Sequence, residues 1–321
     1  GGLTCILVDD GSPDESGALC DAWAAKDDRV TVIHQDDLGV SGARNSGLAA
    51  ADSEFIVFLD SDDALRPGAL QAALTAQRAA PQDFVVWHYT TDEKDPAAVT
   101  ANSEPRTQAG LARLWLDCLL AMPWNKLYRA GLAKQLQFDV QYTLGEDLQF
   151  VLDYISLLGQ TVPEFGYRVM TSPLTFYDCS RGGTLSTRYH ANYCDIWPKH
   201  FAKLNAACHA AACPAEDMRP LHRAELQVFA EGVADIMRRD PSPTQRLKGY
   251  KAEAALRSPW LRALLERMKI EHCYSAYYLP CRWHNVGLVC RLANARLTDS
   301  PLYGKLDWAG YYLLLGRMRR D

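Results

Sequence analysis

Residues 55–63 have the sequence FIVFLDSDD, five apolar residues followed by three aspartates and a serine. A short continuous apolar run predicts a β-strand buried on both faces of a parallel sheet. The sequence TCILVDD at residues 4–10 has the same form: the strand predicted over 4–8 ends at Asp9 and Asp10. Ligands of such sheets bind beyond the carboxyl ends of the strands. Both acidic clusters are therefore predicted to lie on one rim of the sheet.

Predicted strands and helices alternate outward from these two runs. Further strands are predicted at 30–33 and 84–87. Helices are predicted over 40–51, over 67–78 and from a capping box formed by Ser12, Pro13 and Glu15. Residues 91–110 are predicted to form a loop, and 111–122 and 146–158 helices. This alternation predicts an α/β fold with right-handed crossovers.

The rear of the chain differs from the front in pattern and in charge. Strand signals fade beyond about residue 190, so residues 1–189 are predicted to form a catalytic domain and 190–321 a helical C-terminal region. The 321 residues carry a net charge of −5, but residues 1–189 hold 14 basic and 26 acidic side chains and residues 190–321 hold 20 and 13. This unequal charge distribution predicts that residues 1–189 bind a cation and that residues 190–321 contact an anionic partner. The net charge gives no support for binding nucleic acid.

The cysteine content and the hydropathy indicate the cellular compartment in which the protein is expected. The ten cysteines include no Cys-x-x-Cys pair, so a zinc knuckle or thioredoxin-type site is not predicted. A reduced cytoplasmic setting is expected, with Cys5 as a small buried apolar residue. No apolar run reaches the length of a membrane span. The eight histidines form no paired metal motif.

Three segments carry candidate chemistry. Asp60, Asp62 and Asp63 are suited to Mg²⁺ or Mn²⁺ shared with a phosphate; alternatively they form a solvated turn that caps the next helix. The segment 39–47, GVSGARNSG, either lets a ligand approach its backbone and Arg44, or serves tight helix packing. Residues 145–147, Gly-Glu-Asp, either hold a general base at a helix start or complement the helix dipole.

Taken together, these segments resemble the family 2 glycosyltransferases of the GT-A fold, especially bacterial enzymes that build capsule, exopolysaccharide or lipopolysaccharide. The matching sequences are ILVDDGSPD (6–14), GVSGARNSG (39–47), FLDSDD (58–63), WNKLY (124–128), GEDLQF (145–150) and RGGTLS (181–186). The resemblance covers roughly residues 3–190 and implies a mostly parallel sheet with helices on both faces. It also implies an inverting transfer of a sugar from a nucleotide-sugar, expected to be a UDP-sugar, to a hydroxyl of a glycan or lipid-linked acceptor.

The resemblance also implies roles for the matching residues. Asp147 would deprotonate the acceptor, with Glu146 beside it. The nucleotide-sugar would be bound by Asp9, Asp10, Arg44, Asp60 and Ser61. Asp62 and Asp60 would hold Mn²⁺ or Mg²⁺, which neutralises the diphosphate leaving group. The acceptor side would include Trp124, Lys126 and Arg181.

The sequence departs from the family at its front. Members usually begin with one further central strand and a helix before the VDDGS run, so a truncated front is expected here. A nucleotide-sugar-binding fragment without activity is therefore the first alternative, and a sugar nucleotidyltransferase the second. The basic, aromatic rear is expected either to contact the inner face of an anionic membrane or to cover the catalytic domain.

Overall fold

A computed structural model describes residues 2–142, 144–180, 188–298, 300 and 303–305. The chain divides into two compact units, Gly1–Gly182 and Gly183–Asp321. The expected α/β alternation is confirmed in the first unit. Its strands are β1 (Cys5–Asp10), β2 (Val30–Gln35), β3 (Phe55–Ile56), β4 (Ala64–Leu65), β5 (Phe84–Thr90), β6 (Ser103–Thr107), β7 (Lys126–Arg129) and β8 (Gly166–Phe176). Its helices are α1 (Ser16–Ala24), α2 (Gly39–Ala50), α3 (Ala69–Ala79), α4 (Leu111–Leu116), α5 (Ala130–Ala133) and α6 (Glu146–Thr161).

The strands form two hydrogen-bonded groups. In one, β1 pairs with β2 in parallel, and in the other the order is β3-β7-β5-β8-β4, with β6 pairing β8. Only β5 and β8 are parallel in this second group, whose other described pairings are antiparallel. The expectation of a mostly parallel sheet is therefore wrong for the described strands. The difference arises because β4, β6 and β7, which the apolar pattern did not predict, pair antiparallel. In addition β3, predicted as a parallel strand over the apolar run 55–59, is limited to Phe55–Ile56 and pairs antiparallel with β7.

The first strand is less buried than its sequence suggests. All six residues of β1, including Cys5, are half-buried, whereas complete burial was expected. Among the described residues β1 is paired with β2 along one edge only, so neighbouring strands do not cover both of its edges. Packing of α2 and α1 against β1 supplies the burial that it has. Apolar strand residues become fully buried only where neighbours cover them.

Two predicted helix boundaries are wrong. The capping box at Ser12 is absent: α1 begins at Ser16, because the Ser12 amide donates to Asp9 (3.1 Å) and the Ser16 amide to Asp14 (3.0 Å) in turns. The predicted helix 111–122 ends at Leu116, and Cys118 then adopts a left-handed backbone conformation with φ +57°. Left-handed backbone does not continue a right-handed helix.

The core of the second strand group lies under α3 and α6. An alanine face on α3 packs against apolar strand residues, namely Val85, Trp87, Leu127, Met170 and Leu174. Small side chains allow the helix to lie close to the sheet. The predicted apolar stripe of α6 is confirmed, because its members are all buried: Leu148, Val151, Leu152, Ile155 and Leu158. This packing fixes the start of α6, where Glu146 and Asp147 lie.

The second unit is helical, as predicted. It contains α7 (Tyr193–Ala210), α8 (Ala215–Arg239), α9 (Gln245–Leu256), α10 (Pro259–Ile270), α11 (Tyr278–Arg282) and α12 (Val286–Leu297). Ser258 caps α10 by accepting a hydrogen bond from the Leu261 amide at 3.3 Å. Among the described residues we find no helix with the length and apolar character needed to span a membrane. The basic tail at 311–320 lies outside the described residues.

Candidate active site

Arg44 is the centre of a charged cluster in the first unit. Its guanidinium contacts Asp60 just after β3 (Nη2 to Oδ1, 2.8 Å) and Asp147 in the first turn of α6 (Nη1 to Oδ1, 2.5 Å). Glu146 lies 3.6 Å from the same Nη1. The Arg44 side chain is only 11% exposed, and its guanidinium lies over the ring of Phe138 at 5.4 Å. One buried cation thus joins three carboxylates from two distant parts of the chain, Asp60 and the pair Glu146 and Asp147.

Reciprocal hydrogen bonds hold α2, which carries Arg44, in place. The Asn45 side chain donates to the Phe138 carbonyl and accepts from the Phe138 amide, both at 2.8 Å. The Phe138 ring stacks on Phe150 of α6 with centroids 4.0 Å apart. Phe58 packs edge-on against both rings. The positions of Arg44 and Asp147 are therefore fixed by neighbouring contacts on α2 and α6.

Asp147 has an acid–base character unusual for an aspartate. Burial raises its pKa to about 7, and the charges of Glu146 and Asp60 act in the same direction, while Arg44 opposes the shift. Asp147 lies two residues after Gly145, whose φ of +79° lets the chain turn sharply into α6. A carboxyl group with this pKa, held at a helix start, can accept a proton near neutral pH.

The acidic turn after β3 contains an oxygen atom without a partner. Asp63 Oδ1 accepts from the Asp178 amide at 3.0 Å, but Asp63 Oδ2 is buried and has no hydrogen-bond partner among the described residues. Burial raises the pKa of Asp63 to about 6, and the charges of Asp60 and Asp62 raise it further. An orphaned carboxylate oxygen beside two further carboxylates matches the oxygen ligands that Mg²⁺ and Mn²⁺ prefer. The residues present therefore fit a divalent cation by their chemistry, although the carboxylate oxygens of Asp60, Asp62 and Asp63 do not all lie within 4.8 Å of one another in the structure.

Asp63 belongs to the acidic cluster predicted to suit Mg²⁺ or Mn²⁺, but the family resemblance implied metal binding for Asp60 and Asp62 only. Its position directly after Asp62 was the available signal. What could not be read from sequence is that the backbone of Asp178, 115 residues away, fixes one oxygen and leaves the other free.

Asp9 and Asp10 lie at the carboxyl end of β1, as predicted, and both bind residues from the second strand and its loop. Asp9 lies 2.9 Å from Nδ1 of His34, and this hydrogen bond lowers the pKa of Asp9. Asp10 accepts from the Gln35 side chain at 2.6 Å and from the Leu38 amide at 3.0 Å. These contacts fasten the loop before α2. They differ from the contacts of Asp60, Glu146 and Asp147, which the structure brings together around Arg44.

The positions of Trp124 and Lys126 do not support the predicted contact with an acceptor. Trp124 is buried and stacks on Tyr177 with centroids 5.4 Å apart. Lys126 is completely buried, and its ammonium group donates to the carbonyls of Leu119 and Met122 and to the Asn125 side chain, at 2.5–2.7 Å. Ser61 is exposed in the acidic turn, and Arg181 lies outside the described residues.

Replacing Lys126 by Met is expected to destabilise the first unit by about 1–3 kcal/mol, because it leaves buried acceptors without a donor. Urea denaturation measures this loss, and Lys134→Met is the matched control. Lys134 is exposed and donates to a single backbone carbonyl, that of Ala51, so its loss should matter less. A Lys126→Met protein of unchanged stability but weakened acceptor binding would restore the original prediction.

The sequence is similar to a known protein family and to several curated bacterial proteins. Residues 2–137 match the model of a protein family described as glycosyl transferase family 2. EpsH of Bacillus subtilis is 32% identical over 148 residues, which cover 43% of this chain and 42% of EpsH. The succinoglycan biosynthesis protein ExoO of Rhizobium meliloti is 31% identical over 180 residues, 50% of each chain. The chain thus spans half or less of the length of these relatives.

A solved structure matches more of the chain. The structure of S. aureus TarS in complex with UDP-GlcNAc has a TM-score of 0.57 and 16% sequence identity, and the match covers 93% of this chain and 83% of that chain. At this identity the likeness concerns the fold alone. It confirms the expected GT-A fold.

Proposed function

We propose that this chain, whose residues 2–137 match the model of glycosyl transferase family 2, is a member of that family and transfers a sugar from a nucleotide-sugar to a hydroxyl group with inversion at the anomeric carbon. The observation that carries the proposal is the Arg44 cluster. It holds a carboxyl group of near-neutral pKa, Asp147, beside the acidic turn that begins at Asp60. A base and a cluster of metal-type ligands in one place are what such a transfer needs.

The donor is proposed to be a UDP-sugar. TarS has been solved with UDP-GlcNAc and with UDP, which supports this choice of nucleotide. Asp60, Asp62 and Asp63 would hold Mn²⁺ or Mg²⁺. When bound, the ion supplies charge neutralisation for the departing diphosphate. Asp9 and Asp10 would contact the nucleotide from the end of β1.

Asp147 is proposed as the general base. Its carboxylate takes the proton of the acceptor hydroxyl while that oxygen attacks the anomeric carbon. The bond from that carbon to the diphosphate oxygen breaks, and its electron pair leaves with the nucleotide. A single displacement of this kind inverts the anomeric centre and requires no nucleophile from the protein. Arg44 acts as a positioning residue, because its donors already bind Asp60 and Asp147.

The acceptor is proposed to be a glycan or lipid-linked intermediate of bacterial surface polysaccharide. The name of ExoO links that relative to succinoglycan biosynthesis, which supports this substrate class. The excess of basic residues over 190–321 supports a peripheral contact with an anionic membrane, where lipid-linked acceptors would lie.

Release of UDP from a UDP-sugar in the presence of Mn²⁺ tests the proposal. Asp62→Asn is expected to lower the rate by about 10²-fold, because it removes a charged ligand where negative charge develops. Asp28→Asn is the matched control: Asp28 is exposed before β2, at the opposite end of that strand from the loop that leads into α2. Calorimetry with UDP distinguishes an active transferase from a nucleotide-sugar-binding fragment without activity. Binding of UDP by the unmodified chain without turnover would indicate the fragment.

A further inference from the structure

A second cluster of metal-ligand side chains lies in the helical unit, outside the site described above. It consists of His222 on α8 together with Glu271 and Cys273, which follow α10. The ligand atoms of the three side chains all lie within 4.8 Å of one another. His222 and Cys273 are buried, while the Glu271 side chain is 29% exposed. Among the described residues this is the one group of three such side chains that are this close.

The end of α10 brings two of the three side chains to the same place. His272 adopts a left-handed conformation with φ +54°, and the Cys273 amide donates to the Met268 carbonyl at 3.0 Å. This is the hydrogen-bond pattern of a Schellman cap. The turn directs Cys273 back toward Glu271, so that its sulfur lies 3.6 Å from Glu271 Oε2.

The contacts of Asn205 and Arg267 bear on the roles of the two His222 nitrogens. The Asn205 amide nitrogen donates to the Phe201 carbonyl and to Glu225, which leaves its Oδ1 as an acceptor. That oxygen lies 3.1 Å from Nε2 of His222, so the Asn205 contact favours the tautomer with its proton on Nε2, whereas the Arg267 guanidinium at 3.3 Å favours a lone pair there. In the tautomer protonated on Nε2, Nδ1 offers a lone pair to Glu271 Oε2, which is only 2.6 Å away. Two acceptors this close need a proton or a cation between them.

We propose that His222 Nδ1, Glu271 and Cys273 form a site for a zinc-type divalent transition-metal ion, with solvent completing the coordination on the exposed side of Glu271. Imidazole, thiolate and carboxylate ligands together are typical of Zn²⁺ and unsuited to Mg²⁺ or Ca²⁺. Asn205 then serves as the outer partner that fixes the ring of a ligating histidine. Arg267 lies 3.3 Å from Nε2, on the far side of the ring from the ligand nitrogen. The thiol proton of Cys273 is released to solvent when the ion binds.

Such an ion joins α8 to the end of α10, 49 residues further along the chain at Glu271. Binding energy at a site that the unfolded chain lacks contributes to folding. The site is therefore assigned a role in holding the helical unit together, independent of sugar transfer.

Titration of the full chain with Co²⁺, after treatment with a chelator, tests the site. We expect one equivalent to give thiolate-to-cobalt charge-transfer absorption, which Zn²⁺ then abolishes by displacement. Cys273→Ser should lose this absorption, whereas Cys281→Ser should keep it. Cys281 is the matched control because it is also completely buried but belongs to no such group of ligands among the described residues.

Glu271→Gln is the second variant. The Glu271 side chain is partly exposed, so this substitution should disturb folding less than a change at buried Cys273. Its Zn²⁺ affinity, measured by competition with a chromogenic chelator, should fall at least about tenfold. Circular dichroism establishes that each variant is folded. Absence of the charge-transfer band in the unmodified chain, or unchanged Zn²⁺ affinity in folded Cys273→Ser and Glu271→Gln, would overturn the proposal and leave a hydrogen-bonded network only.

Discussion

Asp147→Asn is expected to lower the rate of sugar transfer by about 10²–10⁴-fold while leaving the affinity for the nucleotide-sugar nearly unchanged. Asparagine has nearly the same shape as aspartate but cannot take the acceptor proton. Initial-rate assays with a glycan acceptor give kcat, and calorimetry with the UDP-sugar gives the binding constant. Unchanged transfer would show that another group is the base, and loss of donor binding would show that Asp147 has a structural role instead.

The pH dependence of the same assay supplies an independent check. The base must be ionised, and the pKa of Asp147 is about 7, so the rate should rise between about pH 6 and pH 8. The charge of Glu146 raises the pKa of Asp147. Glu146→Gln should therefore remain active and shift this rise to lower pH. A shift to higher pH would contradict the assigned interaction.

Arg44→Met is expected to lower the free energy of unfolding by about 3–5 kcal/mol at pH 7.5, because it leaves Asp60, Glu146 and Asp147 without their buried cation. Urea denaturation measures the change. Removing Arg44 also removes the charge that opposes the raised pKa of Asp147. The carboxyl then binds its proton more readily in the folded state, so the loss of stability should be smaller at pH 5.5.

Arg29→Met is the matched control for Arg44→Met. Arg29 pairs with Asp27 at 2.6 Å, but its side chain is 63% exposed. Exposed ion pairs contribute little to stability, so this variant should lose much less than Arg44→Met. Equal losses in the two variants would show that the Arg44 cluster does not stabilise the fold.

The α/β class followed from apolar runs because strands such as β1, β2 and β5 are marked by their own sequences. Other strands have no such mark. The sequence of β6 is SEPRT, with a proline and two charges, and it forms a strand because β8 provides an edge for pairing. The first residue of β7 is Lys126, whose burial depends on carbonyl groups that the folded chain places around it. Local pattern cannot reveal partners of this kind.

For the candidate site, the sequence identified most of the residues but not the contacts between them. Arg44, Asp60 and Asp147 were all quoted as candidates, and Arg44 was expected to hold the nucleotide. In the structure the Arg44 guanidinium binds both Asp60 and Asp147. These residues lie 16 and 103 positions from Arg44 in the sequence. Which charges neutralise each other depends on packing over these separations. The burial of Lys126 was missed for the same reason, because a lysine is rarely buried and its sequence neighbours give no sign of it.

The paired hydrogen bonds between Asn45 and Phe138 have a mechanical consequence. They couple α2 to the Phe138 ring, and the stacked Phe150 couples that ring to α6. Closely packed interiors transmit displacement from one element to the next. Any displacement of α2 would therefore be passed to the start of α6, so Arg44 and Asp147 are held in register by the same aromatic packing.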